Sequence, residues 1–95
     1  ALNGHALVTL IIDEDGDPLG EPWCELSGLP ESGRSRANLA EVIEGDLAQF
    51  MGRAGKKVLG DDDKLEDGLR RIVRNTAFNE IGKKPEVTVV ISRLG

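Results

Sequence analysis

The residue types that most often carry chemistry, histidine and cysteine, occur once each, as His5 and Cys24. A catalytic triad or a histidine-based zinc site needs more partners than a single histidine can find here. No cation neighbours Cys24 in sequence to lower the pKa of its thiol, so we expect a packed, unreactive cysteine. The sequence therefore predicts that this chain has no catalytic or metal-binding site of its own.

A short acidic segment has the spacing of the first half of an EF-hand calcium loop. Its members are Asp13, Asp15 and Asp17. The full loop needs glycine at its sixth position and glutamate at its twelfth, where this chain has Pro18 and Cys24. Because both requirements fail, we interpret the segment as the solvated tip of a hairpin.

The densest basic cluster lies on a predicted helix and just beyond its end. Its members are Arg70, Arg71, Arg74, Lys83 and Lys84. At about 100° per residue, one helix face opposite the apolar stripe holds Asp67, Arg71, Arg74 and Phe78, and Arg70 lies near its edge. We predict a contact surface for RNA phosphate or a protein partner, with Phe78 as an apolar anchor. The alternatives are an ordinary solvated charged face and a Phe78 that folds into the core.

Composition limits the classes of function. A net charge of −5 and a pI near 4.8 argue against a generic nucleic-acid-binding module, although a local basic patch is compatible with both. A single cysteine forms no intrachain disulfide, so we expect a cytoplasmic protein. No apolar run approaches the ~20 residues of a membrane span and no signal peptide is visible, so we expect no membrane partner. The chain begins at Ala1 without methionine, as a fragment would.

Apolar alternation and turn residues predict three strands, at residues 5–13, 19–26 and 86–94. The first two are joined by an Asp-Gly turn, and residues 27–36 have the composition of a loop.

Two amphipathic helices lie between the second and third strands, joined by a short connector. The first has Asn38 as its N-cap, with Glu41 in the capping-box position, and ends near residues 52–55. The second has Asp63 as its N-cap and ends at Gly82. Its inward stripe is Leu65, Leu69, Ile72, Val73 and Thr76.

The order β-β-α-α-β predicts an α+β fold, a two-layer sandwich in which two helices cover one face of a three-stranded sheet. Residues 1–95 are the size of one domain. The second sheet face would expose an apolar set that we take as a candidate self-association face. Its members are Leu7, Ile11, Trp23 and Val90. The alternative is that the loop at residues 27–36 folds over them.

Three segments carry a family resemblance. They are the glycine-histidine step into an apolar strand at residues 3–13, residues 15–22 with 26–30, and the basic helix at residues 70–80 that leads through Gly82-Lys83-Lys84-Pro85 into a valine-rich strand. Their order and spacing resemble the C-terminal domain of bacterial ribonuclease J, a metallo-β-lactamase/β-CASP ribonuclease. The resemblance covers essentially the whole chain and implies a three-stranded sheet packed by two helices.

The resemblance implies a non-catalytic part of an enzyme that degrades and processes RNA, as a 5′–3′ exoribonuclease and as an endoribonuclease. That family uses a zinc-type metal pair held by an HxHxDH motif, which this sequence lacks, so no catalytic residue or cofactor carries over to this chain. The resemblance also implies homo-oligomer assembly and support of activity on RNA. The alternative function is a protein-docking module of an RNA-degradation complex.

Overall fold

The computed structural model describes residues 4–94, which form three strands and three helices. In chain order they are β1 (His5–Ile12), β2 (Trp23–Ser27), α1 (Leu39–Arg53), α2 (Lys56–Leu59), α3 (Asp62–Ile81) and β3 (Glu86–Arg93). The predicted β-β-α-α-β order is confirmed, with one short additional helix in the connector. The chain start at Ala1 and Asn3, the first residue of the family resemblance, lie outside the described residues.

The sheet has the order β2-β1-β3, with β1 in the centre. β1 runs antiparallel to β2, where Val8 lies opposite Cys24, and parallel to β3, where Val8 lies opposite Val89. Side chains at alternate positions of β1 point towards the helices and are almost completely buried. They are Ala6, Val8, Leu10 and Ile12. This strand is therefore the centre of the core.

α1 and α3 pack against each other and cover the same sheet face, α1 beside β2 and α3 beside β3. Their apolar stripes complete the core, with Leu39, Ile43 and Leu47 from α1 and Leu65, Leu69 and Val73 from α3. Burying each such side chain stabilises the fold by about 1.5–3 kcal/mol. The arrangement is the predicted two-layer α+β sandwich. Within residues 4–94, no helix combines the length and apolarity needed to cross a membrane.

The two long helices begin at side-chain caps. As predicted, Asn38 Oδ1 accepts a 3.0 Å hydrogen bond from the backbone N–H of Glu41. The prediction of Asp63 as the cap of α3 is wrong. Asp61 has the extended backbone of a cap, and its Oδ1 accepts from the N–H groups of Asp63 and Lys64. Asp63 lies in the first turn, where its charge complements the helix dipole.

The end of α3 and the position of α2 depend on three further hydrogen bonds. Gly82 adopts the left-handed conformation, with φ 69°, and its N–H bonds to the carbonyl of Phe78, which ends α3 as predicted. Arg93 at the end of β3 donates to Asp62 Oδ1 at 2.8 Å and to the Leu59 carbonyl at 2.6 Å. This arginine therefore ties β3 to the carboxyl end of α2 and to the start of α3.

β2 is shorter than the predicted strand at residues 19–26, because its first part leaves the ladder. Gly20 has a positive φ and Pro22 has no N–H to donate. Before this interruption, the N–H of Leu19 still bonds to the Ile11 carbonyl at 2.8 Å. Leu19 consequently lies beside Ile11, although the regular strand spans only Trp23–Ser27.

Candidate functional site

An open groove of about 530 Å³ lies between α3 and the first residues of β3. Its lining residues are Arg70, Arg74, Lys84, Pro85, Glu86 and Val87. Arg70 and Arg74 are one helical turn apart and therefore project from the same side of α3. The left-handed turn at Gly82 then reverses the chain and brings Lys84 back to this side of the helix.

The three cations of this groove differ in their partners. Arg70 is half-buried and pairs with Glu66 at 2.6 Å, and its second amino group lies 3.6 Å from Asp67. Within residues 4–94, neither Arg74 nor Lys84 forms an ion pair. Arg74 and Lys84 therefore supply the uncompensated positive charge of the groove, while Arg70 is held as part of its wall.

Phe78 lies next to this groove on α3, one turn beyond Arg74. Its side chain is 52% exposed, and the Lys84 ammonium lies 5.5 Å from the centre of its ring. The alternative in which Phe78 folds into the core is therefore wrong. Arg71 and Lys83 are also exposed, but they do not line the groove. The structure thus brings together four of the six predicted contact residues.

The sheet face away from the helices carries the second predicted surface. Thr9 in the central strand lies opposite both Trp23 and Val90, so these three residues form one row across the sheet. Trp23 is 61% exposed, Val90 43% and Ile11 38%, and Leu7 is half-buried. We call this surface, comprising Leu7, Ile11, Trp23 and Val90, the open face.

The loop at residues 27–36 does not cover the open face, so that alternative is wrong. Hydrogen bonds hold this loop against the carboxyl-terminal end of α3 instead. The backbone N–H of Arg34 bonds to the Glu80 carbonyl at 2.8 Å, and the Ser35 hydroxyl donates to the Glu80 carboxylate at 2.6 Å. The Ser35 hydroxyl and then its N–H hold the pKa of Glu80 below its usual value.

The same side of the sheet becomes polar towards the start of β1. His5 Nε2 lies 2.8 Å from the Thr88 hydroxyl, and Trp23 Nε1 donates to the Glu25 carboxylate at 3.3 Å. At the other end, Leu19 extends the exposed apolar surface beside Ile11. The sequence prediction left Leu19 out of this face, although alternation along residues 19–26 places it on the same side as Trp23.

Cys24 and the aspartates of the hairpin tip, which the sequence presented as candidates for chemistry, have structural surroundings that explain them. Cys24 is only 4% exposed, and its pKa is raised to about 12, mainly by burial and further by the carboxylates of Glu44 and Glu25. At the hairpin tip, Asp13 Oδ1 accepts from the backbone N–H groups of Asp15 and Asp17. In the part of the chain that the structure describes, no group of three or more His, Cys, Asp or Glu side chains is placed to hold a metal ion.

Comparison with known proteins gives one consistent result. A family model described as the ribonuclease J C-terminal domain matches residues 1–94. A curated Ribonuclease J from Sinorhizobium meliloti (strain Sm2011 / Rm2011 / 2011) is 35% identical over 95 residues, which cover 96% of this chain. The chain spans 16% of the length of that relative. On these matches, and with the predicted fold confirmed, the chain belongs to the ribonuclease J C-terminal domain family.

Proposed function

We propose that this domain is the non-catalytic C-terminal part of a longer, cytoplasmic ribonuclease J-like enzyme and that it joins the subunits of that enzyme into a homo-oligomer. In this proposal, the remainder of the enzyme holds the zinc pair and cleaves RNA from the 5′ end and internally. Family membership supports the proposal, and a match to 16% of a ribonuclease J leaves ample length for a catalytic region.

The observation that carries the assembly role is the open face. It presents a largely exposed tryptophan and two exposed aliphatic side chains on rigid strands. Contiguous apolar surface of this kind marks contact sites in monomeric domains. Tryptophan is also enriched among the residues that contribute most to binding energy at protein interfaces.

A second copy of the same domain suits this surface. A twofold axis that runs along β1, between two stacked sheets, would place β2 of one copy over β3 of the other. Trp23 would then meet Val90 of the second copy, because the two residues flank Thr9 on opposite sides. Glu25 would lie over Thr88 of the second copy rather than over another carboxylate, since these residues flank Leu7 in the same way.

Light scattering coupled to size-exclusion chromatography tests this role, on the 95-residue chain and on the longer enzyme. We expect Trp23→Thr and Val90→Thr, which keep a high strand propensity, to raise the dissociation constant of the oligomer by about 30-fold or more for the tryptophan. Phe78→Thr is the matched control, because Phe78 is similarly exposed but lies on α3. An oligomer that survives both strand variants, or that Phe78→Thr disrupts equally, contradicts the assignment.

A further inference from the structure

We propose that the groove at Arg74 and Lys84 binds the phosphate backbone of single-stranded RNA and that Phe78 stacks on an adjacent base. This inference rests on the proposed role in an RNA-processing enzyme. It adds a binding site on the opposite layer of the domain from the open face. It also assigns different tasks to the basic residues, which the sequence presents as a single cluster.

Two cations from different parts of the fold converge on the groove. Arg74 projects from α3 and Lys84 from the segment that enters β3, and both line one concave surface. Neither forms an ion pair within residues 4–94, in a chain whose net charge is −5. Two cations from separate elements that face the same open space form a favourable site for an anionic oxygen cluster such as a phosphodiester.

The surroundings of these two cations also favour an anion. Arg70 is held by Glu66, so its guanidinium stays fixed in the wall of the groove. Val87 faces the helices, so the alternation along β3 directs the side chain of Glu86 towards the opposite face of the sheet. Glu86 also lines the groove, but within residues 4–94 its carboxylate forms no ion pair with Arg74 or Lys84.

Phe78 favours a nucleic acid strand over other anions. Single-strand binding proteins combine a basic groove with exposed aromatic rings on which bases stack. Phe78 is half-exposed one turn from Arg74, and the ammonium of Lys84, a lining residue of the groove, lies over the Phe78 ring at 5.5 Å from its centre, which leaves the other face of the ring for a base. A phosphate held by Arg74 and Lys84 would place a neighbouring base beside this ring. An acidic peptide would use the two cations but has no planar group to stack on Phe78.

Fluorescence anisotropy with a labelled single-stranded RNA of mixed sequence, about 10 nucleotides long, tests the proposal on the 95-residue chain. The double variant Arg74→Glu/Lys84→Glu reverses two groove charges. Arg71→Glu/Lys83→Glu is its matched control, because it reverses two exposed charges outside the groove lining.

We expect the groove variant to lose at least about tenfold in affinity and the control no more than about threefold. The slope of log affinity against log salt should fall in magnitude by about 0.7 for each phosphate contact that the groove variant removes. Circular dichroism and thermal melting establish that both double variants remain folded. Equal losses in the two variants, or no loss in either, would overturn the groove assignment.

Substitutions of Phe78 test the stacking step. We expect Phe78→Leu to weaken RNA binding by roughly 5- to 100-fold, because leucine keeps apolar bulk but has no aromatic face. Phe78→Trp should bind at least as tightly as the wild-type chain. If a poly-glutamate peptide binds as tightly as RNA and its affinity is unchanged by Phe78→Leu, the groove binds a protein ligand and the RNA proposal is wrong.

The two proposals fail separately. Light scattering reports on residues of the open face, whereas anisotropy reports on Arg74, Lys84 and Phe78. If the longer enzyme assembles and cleaves RNA while the groove variants keep wild-type RNA affinity, only the groove inference is overturned. If the chain binds RNA through the groove but Trp23→Thr leaves assembly intact, only the assembly role of the open face falls.

Discussion

The carboxylate of Glu44 on α1 accepts a 2.9 Å hydrogen bond from the backbone N–H of Cys24 on β2. β2 is an edge strand, because the sheet order is β2-β1-β3. Unpaired donors along such an edge invite pairing with other chains, and native proteins often cover them. Glu44 therefore joins the two layers and satisfies a part-buried donor of the sheet edge.

Removing this acceptor should destabilise the domain. We expect Glu44→Ala to lower the free energy of unfolding by about 1–3 kcal/mol, because the part-buried N–H of Cys24 loses its acceptor. Glu44→Gln keeps a side-chain oxygen and should lose less. Gln49→Ala, an exposed position of α1, is the control and should change stability by less than about 0.5 kcal/mol. Urea denaturation measures all three; equal stability of Glu44→Ala and the control would contradict the assigned role.

Cys24 should resist thiol reagents while the domain is folded. Its pKa of about 12 leaves only about one thiolate in ten thousand near pH 8, and its side chain is 4% exposed. We expect modification by iodoacetamide, followed by mass spectrometry, to be slow in native buffer and fast in urea. Because Glu44 contributes to the raised pKa, Glu44→Ala should react faster than the wild-type chain. Native and urea-unfolded chains that react at the same rate would show that Cys24 is accessible.

The link between Ser35 and Glu80 should make stability depend on pH. The hydroxyl and N–H of Ser35 lower the pKa of Glu80 in the folded chain from the ordinary value of 4.5. Its stabilising contribution is therefore complete above that ordinary value and disappears as the pH falls through the lowered one. We expect Ser35→Ala to melt at a lower temperature than the wild-type chain at neutral pH and the gap to close as the pH falls through the lowered pKa of Glu80. A gap that stays constant over this range would disprove the electrostatic link.

The β-strand periodicity and helix caps could be predicted because they depend on near neighbours in sequence. Alternation along β1 correctly separated the buried side chains from Leu7 and Ile11, and Asn38 caps α1 as expected. α2 was not predicted, because only four residues form it and its last carbonyl is bonded by Arg93 from β3. That contact joins residues far apart in sequence, which local patterns do not contain.

The set of residues that line the groove also depends on contacts between residues far apart in sequence, so local patterns did not predict it. Helical periodicity groups Arg71 and Arg74 on one face and leaves Arg70 at its edge. In the structure, Arg70 and Arg74 line the groove, because Lys84 turns back towards their side of α3. Similarly, each of three consecutive aspartates is a plausible cap, and only the course of the chain after α2 selects Asp61. Sequence patterns thus identify the residue types, whereas tertiary contacts determine which neighbours share a surface.

One substitution, glycine to alanine, should have opposite effects at two positions. A Cβ at Gly33 would collide with the backbone carbonyl of Glu80, which belongs to α3 and cannot move without disturbing the loop contact there. A Cβ at Gly45 in α1 would meet nothing within 4 Å. Alanine also favours a helix over glycine by about 1 kcal/mol. We therefore expect Gly45→Ala to raise the melting temperature and Gly33→Ala to lower it.

Thermal melts of the two alanine variants beside the wild-type chain measure this difference in sign. The Gly33→Ala loss should come with a looser attachment of the loop at residues 27–36, since Arg34 and Ser35 both bond to Glu80. Faster amide hydrogen exchange at Arg34, against unchanged exchange in the middle of β1, would locate the damage at this attachment. If Gly33→Ala is as stable as the wild-type chain and Arg34 stays protected, the close packing of the loop on α3 is not a constraint on the fold.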